Sequence, residues 1–315
     1  MKPLIHDSSQ LAPLYARYRA RLCHNDSQLG DRLLAGKMQQ LAFAELSAQF
    51  DLILLDAYGV LYRGKKVIPG APEAVARLYQ QGRAVRVLSN NASQTPEHLS
   101  KQLHDMGFCF PQKDIITSGM AIADSLAAAP WQNQPYYLIG SEESLLAYAP
   151  DQQRLCVNLR PGAGWQDARF LLMCSNRDYY GQQQQQQVES LLAQQPLPIV
   201  LANPDLVTPE ESGAVSVVAG YTAATWVDRF HCPWVGLGKP FAPVYQRIHQ
   251  EFPHLSPQRC LMVGDTLDTD ILGGAAQGFV TCLTLSGAYA HEQNLPELCR
   301  QRAIRPDFVV TSIAA

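Results

Sequence analysis

Two acidic side chains, Asp265 and Asp270, lie in the segment Val263-Gly264-Asp265-Thr266-Leu267-Asp268-Thr269-Asp270, directly behind an apolar run from Cys260 to Val263. A second apolar run, Leu52 to Leu55, leads into Asp56-Ala57-Tyr58-Gly59-Val60-Leu61, again an acid followed by a turn. Hydrophobic strands that end in closely spaced carboxylates are how an open α/β sheet presents oxygen ligands to a hard cation at its carboxyl edge. Taken singly, either aspartate motif reads equally well as a helix or turn cap. Two such strand ends, far apart in sequence, favour a shared Mg²⁺ site over two unrelated caps. Ser89-Asn90-Asn91 follows the run Val85 to Leu88, and Lys239 stands in Gly236-Leu237-Gly238-Lys239-Pro240. Alone, Ser89 is a turn cap and Lys239 a solvated surface residue; their chemical weight comes from company.

The elements that must position these residues alternate between strand and helix. After Asp56 comes a loop, Pro69-Gly70-Ala71-Pro72, then a helical segment from Glu73 to Gln81 closed by Gly82. Thr95 followed by Pro96 reads as a cap with proline at the first helical position. Ile115 to Ser118 repeats the strand-then-helix pattern. This order predicts a doubly wound α/β fold with a parallel sheet. From about Gly119 to Trp226 there are further strands, at Tyr136 to Ile139, Phe170 to Met173 and Pro198 to Leu201, none ending in a convincing catalytic acid. The run Gln182 to Gln187 reads as a solvated helix start or a mobile loop without a function. The chain is therefore expected to divide into an N-terminal helical extension (1–48), a first part of the core (49–118), an inserted α/β domain (119–226) and a second part of the core (227–315). The extension breaks near Asn25-Asp26-Ser27 and is expected to pack on the core as an extra helical layer, with a dimerisation arm as the alternative.

Composition narrows the class. The 315 residues are 47% hydrophobic and 17% charged, an ordinary globular balance with room for two domains. A net charge of −3 without a basic run argues against a nucleic-acid surface. No apolar stretch is long enough to span a membrane, and the N-terminal residues lack a signal-peptide core. The eight cysteines show no CxxC pair and read as small buried hydrophobes in a reducing compartment, which points to the cytoplasm.

Asp56 in DAYGVL, Ser89 in LSNN, Lys239 in GLGKP and Asp265 with Asp270 together resemble the four motifs of the haloacid dehalogenase superfamily, in order and spacing. The resemblance runs from about Asp51 to the C-terminus and is to the class with a large α/β cap between the second and third motifs. That class includes N-acetylglucosamine-operon sugar phosphatases and pyridoxal-phosphate phosphatases; Leu201-Ala202-Asn203-Pro204-Asp205 also resembles its cap. The resemblance implies a rossmannoid core, an inserted cap and a small phosphorylated metabolite as substrate. It implies that Asp56 attacks phosphorus to give an aspartyl-phosphate that water hydrolyses. Mg²⁺ would be held by Asp56, the Tyr58 backbone carbonyl and Asp265, with Asp270 as a ligand or its supporting partner. Ser89 and the Asn90 amide would bind phosphoryl oxygens, and Lys239 would neutralise charge. Asn203 and Asp205 would face the substrate from the cap, although Asn-Pro-Asp is also ordinary turn chemistry. Caps of the class take part in dimer contacts, so the resemblance extends to a homodimer.

One position departs from the family. Its phosphatases carry a second aspartate two residues after the nucleophile, as acid and base; here that residue is Tyr58. Losing a placed acid/base costs about 10²–10⁴-fold where the leaving group needs a proton. A tyrosine, with an unperturbed pKa near 10, is a poor substitute at neutral pH. The expected activity is Mg²⁺-dependent hydrolysis of small phosphate monoesters, slow or restricted to good leaving groups unless the cap or the substrate supplies an acid. Two alternatives stand beside it. One is a phosphometabolite-binding protein with little turnover. The other is a 2-haloacid dehalogenase-like hydrolase, whose first motif DAYGVL resembles, although such an enzyme has no need of Asp265 and Asp270.

Overall fold

The apolar runs form the centre of a seven-stranded, all-parallel sheet in a computed structural model that describes residues 4–5, 11–158, 164–176, 182–209 and 215–315. The strands lie in the order Gln39–Gln40, Phe308–Val310, Val280–Thr284, Cys260–Gly264, Leu52–Leu55, Ala84–Ser89 and Ile115–Thr117. Successive strands run outward from Leu52–Leu55 in one direction and, after the insertion, outward from Cys260–Gly264 in the other. The sheet's switch point thus falls between these two neighbours, with Leu55 in register with Val263. Crevices at such points are where open α/β sheets bind ligands.

Side-chain alternation explains why the central runs are apolar throughout rather than every second residue. Ile53 and Leu55 join Val75, Leu99 and Leu103 in one core. Leu52 and Leu54 join Met262, Tyr245 and Ile248 in another. A parallel sheet covered by helices on both faces has no solvent side to leave polar. The helix Pro96–Asp105 begins as its sequence predicts, with the Thr95 hydroxyl accepting from the His98 amide at 3.0 Å.

A second parallel sheet, Trp234–Gly236, Ile199–Leu201, Phe170–Met173 and Tyr136–Ile139, forms the inserted domain and splits its side chains between two cores in the same way. Its boundary differs from the expected one. Position 226 lies inside the helix Ala219–Phe230, and the strand Trp234–Gly236 pairs with Ile199–Leu201. The insertion therefore reaches past 226, to the segment that carries Lys239. The run Gln182 to Gln187 opens the helix Gln182–Gln194.

The N-terminal extension is helical, in α1 (Ala12–Asn25), α2 (Leu29–Ala35) and α3 (Phe43–Ser47). Between α1 and α2 the chain turns where Asp26 Oδ1 accepts from the Gln28 amide at 3.0 Å. The extension also contributes Gln39–Gln40 as an edge strand of the large sheet and Leu4–Ile5 as a strand antiparallel to Val215–Val217 of the insertion. Among the described residues, no helix is long and apolar enough to cross a membrane.

Candidate active site

Asp56 and Asp265 come directly after adjacent strands at the switch point, which brings together carboxylates far apart in sequence. Gly59 makes room for them. It has φ 86°, and a Cβ there would stand 2.0 Å from Asp265 Oδ2. Asp270 lies in a wide helical turn, Leu267–Ile271, closed by the Ile271 amide on the Thr266 carbonyl at 3.2 Å. The turn folds Asp270 back, so that its Oδ2 accepts from the Thr266 amide at 3.1 Å and the Thr266 hydroxyl at 2.8 Å. Asp265 Oδ2 accepts from the Ala288 amide at 2.7 Å.

Lys239 joins the carboxylates from the insertion side. Its Nζ donates to Asp56 Oδ1 at 2.6 Å and to Asp270 Oδ1 at 2.7 Å, and its side chain is only 2% exposed. Burial alone would discharge the lysine, but Asp270 and Asp56 hold its pKa well above the ordinary range. The carboxylates are short of positive charge. Burial pushes Asp56 up to about 7, against the pull of Lys239, and pushes Asp265 well above the carboxylate range. Asp56, Asp265 and Asp270 each offer an oxygen within 4.8 Å of the others. Three buried acids facing one lysine leave an excess of two negative charges, and all the side-chain donors are hard oxygens. That set fits a divalent cation such as Mg²⁺.

Ser89 and Asn90 end the strand next to Asp56. Ser89 Oγ accepts from the Asn91 amide at 3.2 Å, and Ser89 lines the same cavity as Asp56. The Asn90 side chain is committed elsewhere. Its Oδ1 accepts from the Lys239 amide at 2.7 Å, while its Nδ2 donates to the Lys239 carbonyl at 3.0 Å and to Asp205 Oδ1 at 2.8 Å. Asn90 is a bridge from the core to the insertion. Asn203 makes the turn its sequence suggests, its Oδ1 accepting from the Asp205 amide at 3.0 Å, and it too lines the cavity. Burial pushes the Asp205 carboxyl up to about 6, with Lys239 and the Asn90 hydrogen bond pulling the other way.

Tyr58 fastens a hairpin. Its hydroxyl accepts from the Gly64 amide at 2.9 Å, and its ring meets Tyr62 edge to face with centroids 5.6 Å apart. The two-stranded hairpin Tyr62–Arg63 with Lys66–Val67 thereby lies along the cavity, whose volume is about 820 Å³.

Several lining residues were not singled out from the sequence. Asp268 sits between the two motif acids and pairs with Arg302 at 3.3 Å. Leu11 stands just before α1 and Tyr15 lies in its first turn, in a segment without any chemical motif. Asp268 could have been noticed by its place in the acidic run; Arg302, Leu11 and Tyr15 reach the cavity only through tertiary packing.

Comparison with known proteins places the chain in a family. The haloacid dehalogenase-like hydrolase profile matches residues 53–149, and a HAD-hydrolase-like profile matches residues 236–315. A glycerol-3-phosphate phosphatase of Homo sapiens is 30% identical over 295 residues, 85% of this chain and 90% of that protein. Chronophin of Mus musculus is 27% identical over 285 residues, 88% of this chain and 96% of that one. A HAD-superfamily crystal structure from Cytophaga hutchinsonii, described as a possible sugar phosphatase, superposes with TM-score 0.76 at 24% identity, covering 88% of this chain and 99% of that chain. The chain belongs to the haloacid dehalogenase-like hydrolases. Within that family it is a phosphatase, and the inserted domain is its cap.

Proposed function

We propose that the protein hydrolyses small phosphate monoesters in a Mg²⁺-dependent reaction through an aspartyl-phosphate on Asp56. The observation that carries the reading is the buried cluster of Asp56, Asp265 and Asp270 around Lys239, of which Asp56, Asp265 and Lys239 line one cavity. Mg²⁺ held by Asp56, Asp265, Asp270 and the Tyr58 backbone carbonyl would neutralise phosphate charge so that two anions can approach. Lys239 pulls Asp56 towards its ionised form against the effect of burial, and aims it. Ser89 Oγ and the backbone amides beside it receive the phosphoryl oxygens.

The proton inventory needs one more group, because a tyrosine hydroxyl, with an unperturbed pKa near 10, is poorly matched to proton transfer at neutral pH. Asp205 is the best placed. It opens on the same cavity from the cap, and burial tunes it to about 6, close to the pH at which an acid/base is most useful. As Asp56 attacks phosphorus, the bond to the leaving alcohol breaks and its oxygen takes the proton of Asp205. Water then attacks the aspartyl-phosphate, gives a proton to the Asp205 carboxylate, and inorganic phosphate leaves. Three features support the natural substrate being a small metabolite acted on in the cytoplasm: the size of the cavity, eight free cysteines and the glycerol-3-phosphate phosphatase relative.

The test is phosphate release from glycerol 3-phosphate, sugar phosphates and an aryl phosphate, with Mg²⁺ and with chelator, against the Asp56→Asn protein. Metal-dependent release that disappears in Asp56→Asn is the expected result. Release no faster than that of Asp56→Asn across the series would end this reading.

A further inference from the structure

Helix α1 carries none of the phosphatase motifs, yet it reaches the cavity and is fastened to both halves of the molecule. On the cap side, the Tyr18 hydroxyl donates to the Pro204 carbonyl at 2.8 Å, in the turn that presents Asp205. Arg21 donates to the Trp234 carbonyl at 2.6 Å and lies over the Trp234 ring at 4.5 Å, and Arg17 pairs with Asp228. On the core side, Leu14 of α1 and Leu29 and Leu33 of α2 share a buried cluster with Leu267, Ile271 and Leu283. Leu267 and Ile271 bound the turn that holds Asp268 and Asp270, so α1 is referenced to the catalytic carboxylates themselves.

Leu11, at the cap of α1, and Tyr15 of its first turn line the cavity, and both are nearly buried, at 5% and 6% exposure. Tyr15 is close enough to Asp205 on the cap and to Asp268 on the core to feel both charges, and Arg302 stands 5.6 Å from its ring centroid. Tyr58, Tyr62 and Tyr289 line the same space, with Val207 and Val218 of the cap. A cavity of about 820 Å³ is at the scale that encloses a drug-sized ligand, well beyond what a three-carbon phosphate fills. The tyrosines and valines around it offer aromatic and apolar surface to a ring, and aromatic pairs gain beyond the area they bury.

We propose that α1 is a wall of the substrate site, and that Leu11 and Tyr15 select phosphate esters whose leaving group carries an apolar ring. The inference rests on the phosphatase reading above. Because the helix is fastened to cap and core together, this wall is fixed in place, and it favours the ring-bearing ester by fit.

Propyl phosphate and 3-phenylpropyl phosphate test it, because their alkoxide leaving groups are alike and only the ring differs. The expected result is a higher kcat/KM for the phenylpropyl ester, a preference that Tyr15→Ala lowers by about tenfold. Tyr15→Leu, which keeps apolar volume, and Leu11→Ala each lower it in part and guard against a folding defect in Tyr15→Ala. Leu34→Ala, at an exposed position of α2, keeps the preference. Equal kcat/KM for the two esters in the unmodified protein, or a preference that survives Tyr15→Ala and Leu11→Ala, overturns the inference while leaving the phosphatase intact. Release from neither ester above the Asp56→Asn background removes the phosphatase reading, and this inference with it.

Discussion

The seven-stranded sheet of the core and the four-stranded sheet of the cap are both all-parallel and both buried on two faces. They differ in the residues their strand ends present. In the core, the two strands at the switch point end in Asp56 and Asp265, and the next one in Ser89. In the cap, Tyr136–Ile139 and Phe170–Met173 lead to Gly140 and Cys174, which take no part in the cavity. The two cap strands beyond them lead to cavity-lining residues, Asp205 after Ile199–Leu201 and Lys239 after Trp234–Gly236. A parallel sheet is thus a frame with no chemistry of its own. What counts is which strand ends meet at the seam, where Asn90 bridges Asp205 to the Lys239 backbone.

The contrast between core and cap breaks most sharply where Asp56 of the core meets Lys239 of the cap. Asp56→Asn should lose about 10⁴-fold or more in phosphate release from every ester, since no bond to phosphorus can form. Lys239→Met should lose about 10²–10³-fold, the scale of a preorganised charge at the transferring group. Steady-state kinetics on an alkyl and an aryl phosphate check both. If either loss depended strongly on the leaving group, these residues would be acting in proton transfer instead of at phosphorus.

Asp205→Asn sharpens it from the cap side. The expected loss is about 10²–10³-fold on alkyl phosphates and under about tenfold on aryl phosphates, which leave without a proton. Its pH profile carries the sign. Asp205 must be protonated to act as the acid, so kcat/KM for an alkyl ester should fall as pH rises through about 6. That limb should vanish in Asp205→Asn and be weak for aryl esters. An Asp205→Asn protein with equal losses on both esters would make Asp205 a hinge contact to Asn90 and nothing more.

Tyr58 offers a smaller change with an opposite sign. Tyr58→Asp restores the acid at the family's usual position and gives up the hydrogen bond to Gly64. In the Asp205→Asn background it should raise alkyl phosphate turnover by about tenfold or more. Tyr58→Phe, which removes only the hydroxyl, should change turnover less than about threefold. A loss as large as that of Asp205→Asn would return the acid/base role to Tyr58.

Much of the core was legible because its chemistry is local. An apolar run that stops at an acid and a glycine can be read without a partner, and the Asp56, Asp265 and Lys239 motifs are of that kind. The cap's last strand was not legible. Trp234–Gly236 is three residues long and comes after Pro233, so it resembles loop, and only its pairing with Ile199–Leu201 makes it a strand. Gln39–Gln40 was hidden for the same reason, two polar residues ordered by Phe308–Val310. Asn203 and Asp205 were visible as a turn, but the Asp205 carboxyl owes its setting to Asn90, 115 positions away. The role of α1 was the least readable, because Leu11 and Tyr15 look like any amphipathic helix until cap and core close around them.

Asp205 and Asp268 give the contrast its finest edge, since burial pushes each carboxyl from 3.8 up to about 6, one on the cap and one on the core. Asp268 differs in having Arg302 as an ion-pair partner at 3.3 Å, so it should register mainly in stability. Between pH 4 and 6 the folded protein keeps the Asp268 proton that the unfolded chain has lost. The stability this contributes is present below about 4 and is lost as pH rises through about 6. Asp268→Asn removes the titration, so the Tm advantage of the unmodified protein over the variant should shrink as pH rises from 4 to 6, by on the order of 5 °C, and stay level above 7. Thermal unfolding of both proteins across that range measures it. A gap that widened instead would mean that Arg302 outweighs burial, holding Asp268 ionised as a structural salt bridge, and would leave Asp205 as the one carboxyl of the pair set by its surroundings to carry a proton.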